Sequence, residues 1–199
     1  MKTKHITFSI AGLLAGLIVV AIKSVGSIEI MILSLTWFVG PLFFVAILAG
    51  IVLTGAWRCF QAGFLRYLSG LVLCTITYSL ALFTFFTVFG FSPDWFGVKP
   101  SSSIAGFGVD VGLGLAAAGV VGATGIWLFA ALLTRKWSTG LLQRLMLAGL
   151  LCVCVTFIVN FPFQKEWSFF GVLLPLGNAL FCCLVGSHIW RHCKSQQSA

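Results

Sequence analysis

Two places in the chain combine residue types and spacing that chemistry could use. Gly112-Leu-Gly114-Leu-Ala-Ala117 fits G-x-G-x-x-A, the spacing of a dinucleotide-binding turn. His188 and His192 stand four residues apart with Cys193 adjacent, so on a helix both imidazoles share a face, as metal ligands do. Neither reading survives its context. A dinucleotide turn follows a strand and is answered by an acidic residue about 20 positions later. Here KPSSSIAGFG precedes the glycines, and the answering positions are Leu133, Thr134 and Arg135. The histidines have no clear third and fourth ligand, and Cys152-Val-Cys154 lacks the spacing of a redox pair. FSPDWFGVKPSSS offers Asp94 but no base, nucleophile or ligand cluster beside it. The expectation is a non-enzymatic chain with no catalytic residues, no cofactor and no metal.

The remaining polar candidates sit inside apolar runs. In VLLPLGNALFCCLVGSH, Pro175 frees a backbone carbonyl one turn back, and Asn178 needs a partner if it is buried in lipid. With Gly177 they form the kind of broken helix from which transporters build substrate sites, although a lone Asn also serves to bond two helices. Thr77 and Thr84, together with Thr87, lie near one face of their segment and could line a modest polar path. Their hydroxyls could equally bond back to their own helix. These residues are the candidate ligand or pore positions.

Wound at about 100° per residue, the glycine-rich stretch becomes a packing element. Gly108, Gly112, Ala116, Gly119 and Ala123 form one seam, and Gly114, Ala118, Gly122 and Gly125 form a second. Small-xxx-small spacing lets backbones approach closely in lipid. Two seams imply a helix sandwiched either within one chain or between the chain and another copy of itself.

Composition identifies the medium around these elements. Of 199 residues, 60% are hydrophobic and 8% charged, and the mean hydropathy is +1.11. That leaves too few charged side chains for the surface of a soluble domain. The apolar runs are unbroken rather than alternating, which excludes a transmembrane barrel. Six segments are long enough to span, at residues 6–22, 30–54, 67–89, 109–134, 141–161 and 169–189. The expected fold is therefore an all-α integral membrane protein, one polytopic domain over residues 1–199 built as a compact bundle of about six transmembrane helices.

Charge then sets the expected orientation. Lys2, Lys4, Arg58, Arg66, Arg135, Lys136, Arg144, Arg191 and Lys194 fall on one side with no acidic residue. Lys23, Lys99 and Lys165 face Glu29, Asp94, Asp110 and Glu166 on the other. The positive-inside bias places both termini in the cytoplasm. Trp57, Trp137 and Trp190 mark the cytoplasmic interface and Trp95 and Trp167 the outer one, as membrane anchors. The formal charge of +8 is spread along the loops rather than gathered in a patch, so no nucleic-acid partner is expected. MKTKH and the following apolar run imitate a secretory signal, but Lys23 interrupts the small-residue ending, and an uncleaved anchor is expected. None of the seven cysteines falls in an outer loop, so no external disulfide framework is expected.

The functional expectation is a membrane subunit that senses, anchors or scaffolds within a larger oligomeric complex. It would sit in a bacterial inner (plasma) membrane as a multi-pass protein, in contact with lipid, with copies of itself and with a soluble cytoplasmic protein. The alternative is a channel or facilitator for a small neutral solute. No ionisable side chain lies deep in any segment, which weighs against an ion-coupled carrier.

Overall fold

In a computed structural model the chain is described over residues 2–23, 28–56, 64–95, 104–160 and 166–197. Trp57 lies outside the described residues. The described chain forms six α-helices: α1 Lys2–Lys23, α2 Ile28–Leu53, α3 Phe64–Trp95, α4 Ile104–Thr134, α5 Thr139–Asn160 and α6 Glu166–Gln197. Each covers its expected segment to within one residue at its end. α3 and α6 continue well past the expected ends at 89 and 189, α6 through RHCKSQQ, which has no Gly or Pro, and α3 through GFSPDW. Pro41 and Pro175 both lie inside helices.

The turns have clear local causes. Gly55 adopts φ 73° just past α2, the left-handed geometry that glycine accepts without a Cβ penalty. Arg135 takes the same region (φ 54°) after α4, and Thr134 Oγ1 donates to the Ala130 carbonyl at 2.8 Å. Ser138 then caps α5, its Oγ accepting from the Leu141 amide at 3.3 Å and its carbonyl accepting from the Leu142 amide at 3.3 Å.

Successive helices pack side by side, and α1 closes the ring against α6; α6 also touches α2 and α4 across it. The core of the ring is aromatic and aliphatic. Phe129 stands edge-on to Phe43 and Phe44, with centroids 6.5 and 5.9 Å away, and Ile47, Ile126, Leu145, Val185 and Ile189 fill the space around them. Glycines bring the backbones together. A Cβ at Gly40 would stand 2.6 Å from the Thr75 Cα, fixing the α2–α3 approach. A Cβ at Gly12 would meet the backbone carbonyl of Asn178, fixing α1 on α6. Phe8 of α1, 1% exposed, is seated between Gly50 of α2 and Gly186 of α6, either of whose added Cβ would strike its ring.

The outward faces are apolar as well. On α3, Leu65, Leu68, Val72, Ile76, Leu80 and Phe83 recur every three or four residues and are all exposed. α1 presents Leu13, Leu14, Leu17 and Ile18 in the same way. A helix apolar on its inner and its outer face belongs in a membrane-like medium. The long apolar helices thus make this a membrane-associated protein.

The number of spans expected from sequence is corrected. Among the described residues, three helices rather than six carry an apolar stretch long enough to cross: Lys4–Ala21, Leu65–Phe85 and Gly112–Thr134. The described apolar runs of α2 and α5, Val39–Leu53 and Thr139–Val155, are shorter. The described part of α6 carries Asn178, Ser187, His188, Arg191 and His192, and no crossing stretch is found in it. The placing of both termini in the cytoplasm relied on an even number of crossings and falls with the count of six.

The seat of Phe8 makes a packing prediction. Gly186→Ala is expected to destabilise the bundle by about 1–3 kcal/mol through overpacking, and Phe8→Ala by about 3–5 kcal/mol through the cavity it leaves. In the double variant the methyl group added at position 186 has room, so the two costs should fall short of their sum in denaturant titrations.

Candidate functional site

The candidate polar site is centred on Asn178, one turn past Pro175 in α6. Asn178 is 2% exposed, and its amide oxygen accepts a 2.8 Å hydrogen bond from the Tyr78 hydroxyl of α3. Tyr78 also lies against Phe43, with centroids 5.7 Å apart, so the ring is fixed by packing while its hydroxyl reaches across the bundle. The Asn178 Nδ2 is buried and has no hydrogen-bond partner among the described residues. Cys74 of α3 and Cys182 of α6, both free thiols, belong to the buried core. Gly177 is buried, but a Cβ there would meet no described atom within 4 Å, so close approach does not explain it.

The threonines do not join this group. Thr77 is buried against Gly125 of α4, where an added Cβ would strike its side chain. Thr84 and Thr87 donate to the carbonyls of Leu80 and Phe83, four residues back, each at 2.8 Å. Thr75 and Ser79 do the same, each at 2.9 Å. Hydroxyls satisfied by their own helix offer little to a passing solute. Tyr78 is the residue that sequence reasoning passed over. A tyrosine in mid-segment, away from the interface, needs a buried partner for its hydroxyl, and that signal points to Asn178.

The two seams of α4 are used differently. Gly114 faces Phe85, Gly122 faces Ala81 at 3.9 Å and Gly125 faces Thr77, so the second seam is the α3 contact. Ala118 of that seam is partly buried. On the first seam Ala123 is wholly buried in the core, whereas Ala116 is exposed and a Cβ at Gly119 would meet nothing within 4 Å. Gly112 is partly buried, and Gly108 belongs to α4, with its surroundings outside the described residues.

A second polar region forms where α1 begins, α4 turns into α5 and α6 ends. Lys4 Nζ stands 3.2 Å from the Trp190 ring centroid, a cation–π contact that ties α1 to α6. His5 Nδ1 and Ser187 Oγ are 2.5 Å apart beside it. Trp127 Nε1 donates to the Ser138 carbonyl at 2.8 Å, and its ring lies 4.9 Å from that of the largely exposed Trp137. Trp190 and Trp137 thus lie at one end of the bundle. Trp95 and Trp167 begin or end helices, and their side chains are outside the described residues.

Between α5 and α6 at this end lies a cleft of about 120 Å³ lined by Ser138, Gly140, Arg144, Leu184, His188 and Arg191. His188 Nε2 and His192 Nδ1 are buried and unpartnered among the described residues. Burial lowers the pKa of His188 from its ordinary 6.5, helped by His192, Arg191 and Lys136. Burial likewise lowers that of His192, with Lys136 adding to it. Among the described residues no three His, Cys, Asp or Glu side chains converge as a metal site would require.

Two expectations follow. Tyr78→Phe leaves the whole Asn178 amide without a partner and should cost about 0.6–1.7 kcal/mol, the range of interhelical hydrogen bonds in membranes. Asn178→Leu in that background should recover part of it, as read by denaturant titration. For the histidines, the unfolded chain binds protons near pH 6.5 and the folded chain only below that, so the unfolded state holds more protons in the window beneath 6.5. Stability should therefore fall as pH drops from about 7 to about 5, and His188→Gln/His192→Gln should flatten that dependence in thermal melts.

Compared with known protein families, with curated proteins and with solved structures, the chain matches none.

Proposed function

We propose that this chain is a non-enzymatic membrane subunit that anchors or scaffolds a larger assembly, self-associating through the uncovered part of α4. The observation that carries the reading is the unequal use of the two seams. Gly114, Gly122 and Gly125 are occupied by α3, while Ala116 and Gly119 lie open beside the exposed Val120. In lipid there is little hydrophobic drive between helices, so an uncovered small-residue face beside a tightly packed one is suited to a second close-packed helix. A second copy of the chain is the partner that this reading names. In it the protein resides in a bacterial plasma membrane as a multi-pass chain and signals to a soluble cytoplasmic partner.

The rival reading, a pore or facilitator for a small neutral solute, has less to support it. The hydroxyls of Thr75, Ser79, Thr84 and Thr87 are turned onto their own helix, and Asn178 is bonded to Tyr78. Both arrangements stabilise the bundle rather than line a path.

The test is the native mass of the complex, extracted gently from its own cells, with each co-purifying protein identified. A homo-oligomer carrying a soluble protein is the expected result, and a bare monomer would overturn the proposal. Gly119→Leu has room within one chain and is expected to lower the native mass while helicity is unchanged. Gly125→Leu, pressed against Thr77, is expected to unfold the α3–α4 contact instead.

A further inference from the structure

The cleft between α5 and α6 collects positive charge with no acidic position near it among the described residues. Arg144 of α5 and Arg191 of α6, both exposed, converge on it with His188, whose buried Nε2 has no partner among the described residues. The four carboxylates of the sequence are Glu29, Asp94, Asp110 and Glu166. Glu29 and Glu166 stand at the beginnings of α2 and α6, Asp110 near the beginning of α4 and Asp94 at the end of α3. Each is at the end of its helix remote from the cleft, roughly 30 Å or more away at about 1.5 Å per residue. Among the described residues no acidic position lies near the arginines, which leaves them open to an external anion.

The shape of the cleft narrows what that anion is. Its ≈ 120 Å³ accommodates a small tetrahedral oxyanion. Two guanidinium groups from different helices supply forked donors that match phosphate oxygens, and Ser138 lies on the same wall. Leu141 and Leu184 complete the lining. From Arg144 an exposed apolar strip, Leu147 and Leu151, continues along the same face of α5. A phosphate placed in the cleft would have that strip beside it, as an acyl chain requires.

We propose that this cleft is a binding site for a phosphate oxyanion, held between Arg144 and Arg191 with His188 at its floor. The phosphate is that of an anionic phospholipid headgroup or of a free small anion; the chemistry of recognition is the same. The apolar strip on α5 favours the lipid. The inference goes beyond the assembly role and does not depend on self-association through α4.

The experiment titrates the purified full-length chain, in neutral detergent micelles, with three probes. These are a short-chain phosphatidylglycerol, the diacylglycerol of the same chain length, and inorganic phosphate, with binding read by calorimetry. Phosphatidylglycerol is expected to bind saturably and diacylglycerol not to. Arg144→Gln should weaken binding about tenfold and Arg144→Gln/Arg191→Gln about a hundredfold, on charge-assisted bonds of ordinary strength. Arg135→Gln, an exposed charge outside the cleft, should stay within about twofold. Phosphate binding as tightly as the lipid would identify a free anion as the ligand; phosphate binding at least about tenfold more weakly would identify the headgroup. Either outcome supports the site. Saturable binding by neither phosphate compound, diacylglycerol binding equal to that of phosphatidylglycerol, or an equal loss in Arg135→Gln would overturn it. Arg144 is exposed, so its single variant is expected to fold. Circular dichroism verifies this, and Arg144→Lys, which keeps charge without the fork, should be intermediate.

Discussion

Contact between backbones at glycine is the constraint on which this bundle depends. Once surrounded by lipid, apolar side chains gain little by leaving one helix surface for another, so association relies on close packing and on a few buried polar bonds. Gly12, Gly40, Gly125 and Gly186 each stand where a Cβ would collide with a neighbouring helix. They fix α1 on α6, α2 on α3 and α4 on α3. The order of neighbours around the ring follows from those approaches. Phe8 shows the same logic from the other side, since its ring fills a notch that exists because residues 50 and 186 have no side chain.

Close approach also governs what the polar residues can do. With α3 and α6 held in one ring, the Tyr78 hydroxyl reaches Asn178 at hydrogen-bond distance, and a side chain costly to bury becomes a tie between helices. The threonines of α3 face a different situation. Thr77 is pressed onto Gly125, and its neighbours along the helix satisfy their hydroxyls locally. Besides Asn178 Nδ2, unpartnered among the described residues, the uncompensated groups lie at the end of the bundle, where His188, Arg144 and Arg191 meet around the cleft.

The two ends of the molecule differ in kind for an electrostatic reason. The carboxylates lie at one end and most arginines at the other, so no described internal pairing neutralises the basic end. Burial disfavours protonation of the histidines of α6, and positive neighbours (His192, Arg191 and Lys136 for His188, Lys136 for His192) add to it. Contact with an external anion would relieve that repulsion. The same end carries Trp127 and Trp137, whose rings suit a boundary between apolar and polar surroundings.

Much of this was legible in the residues alone. Unbroken apolar runs and scarce charge specify long helices in an apolar medium, since an isolated backbone there satisfies its polar groups only as a helix. Helix positions followed from the punctuation between those runs, and the small-residue periodicity of α4 predicted a closely packed face. The coincidental dinucleotide spacing was dismissed on context without a structure. Three things required the tertiary arrangement. The number of crossing helices is one of them, since six expected segments stand against three spans among the described residues. The seam of α4 that is occupied depends on where α3 lies, which periodicity cannot state. The partnership of Tyr78 with Asn178, and the convergence of Arg144 with Arg191, join residues far apart in the chain. Sequence records local preference through period and composition, whereas such meetings are set by the packing of helices against one another.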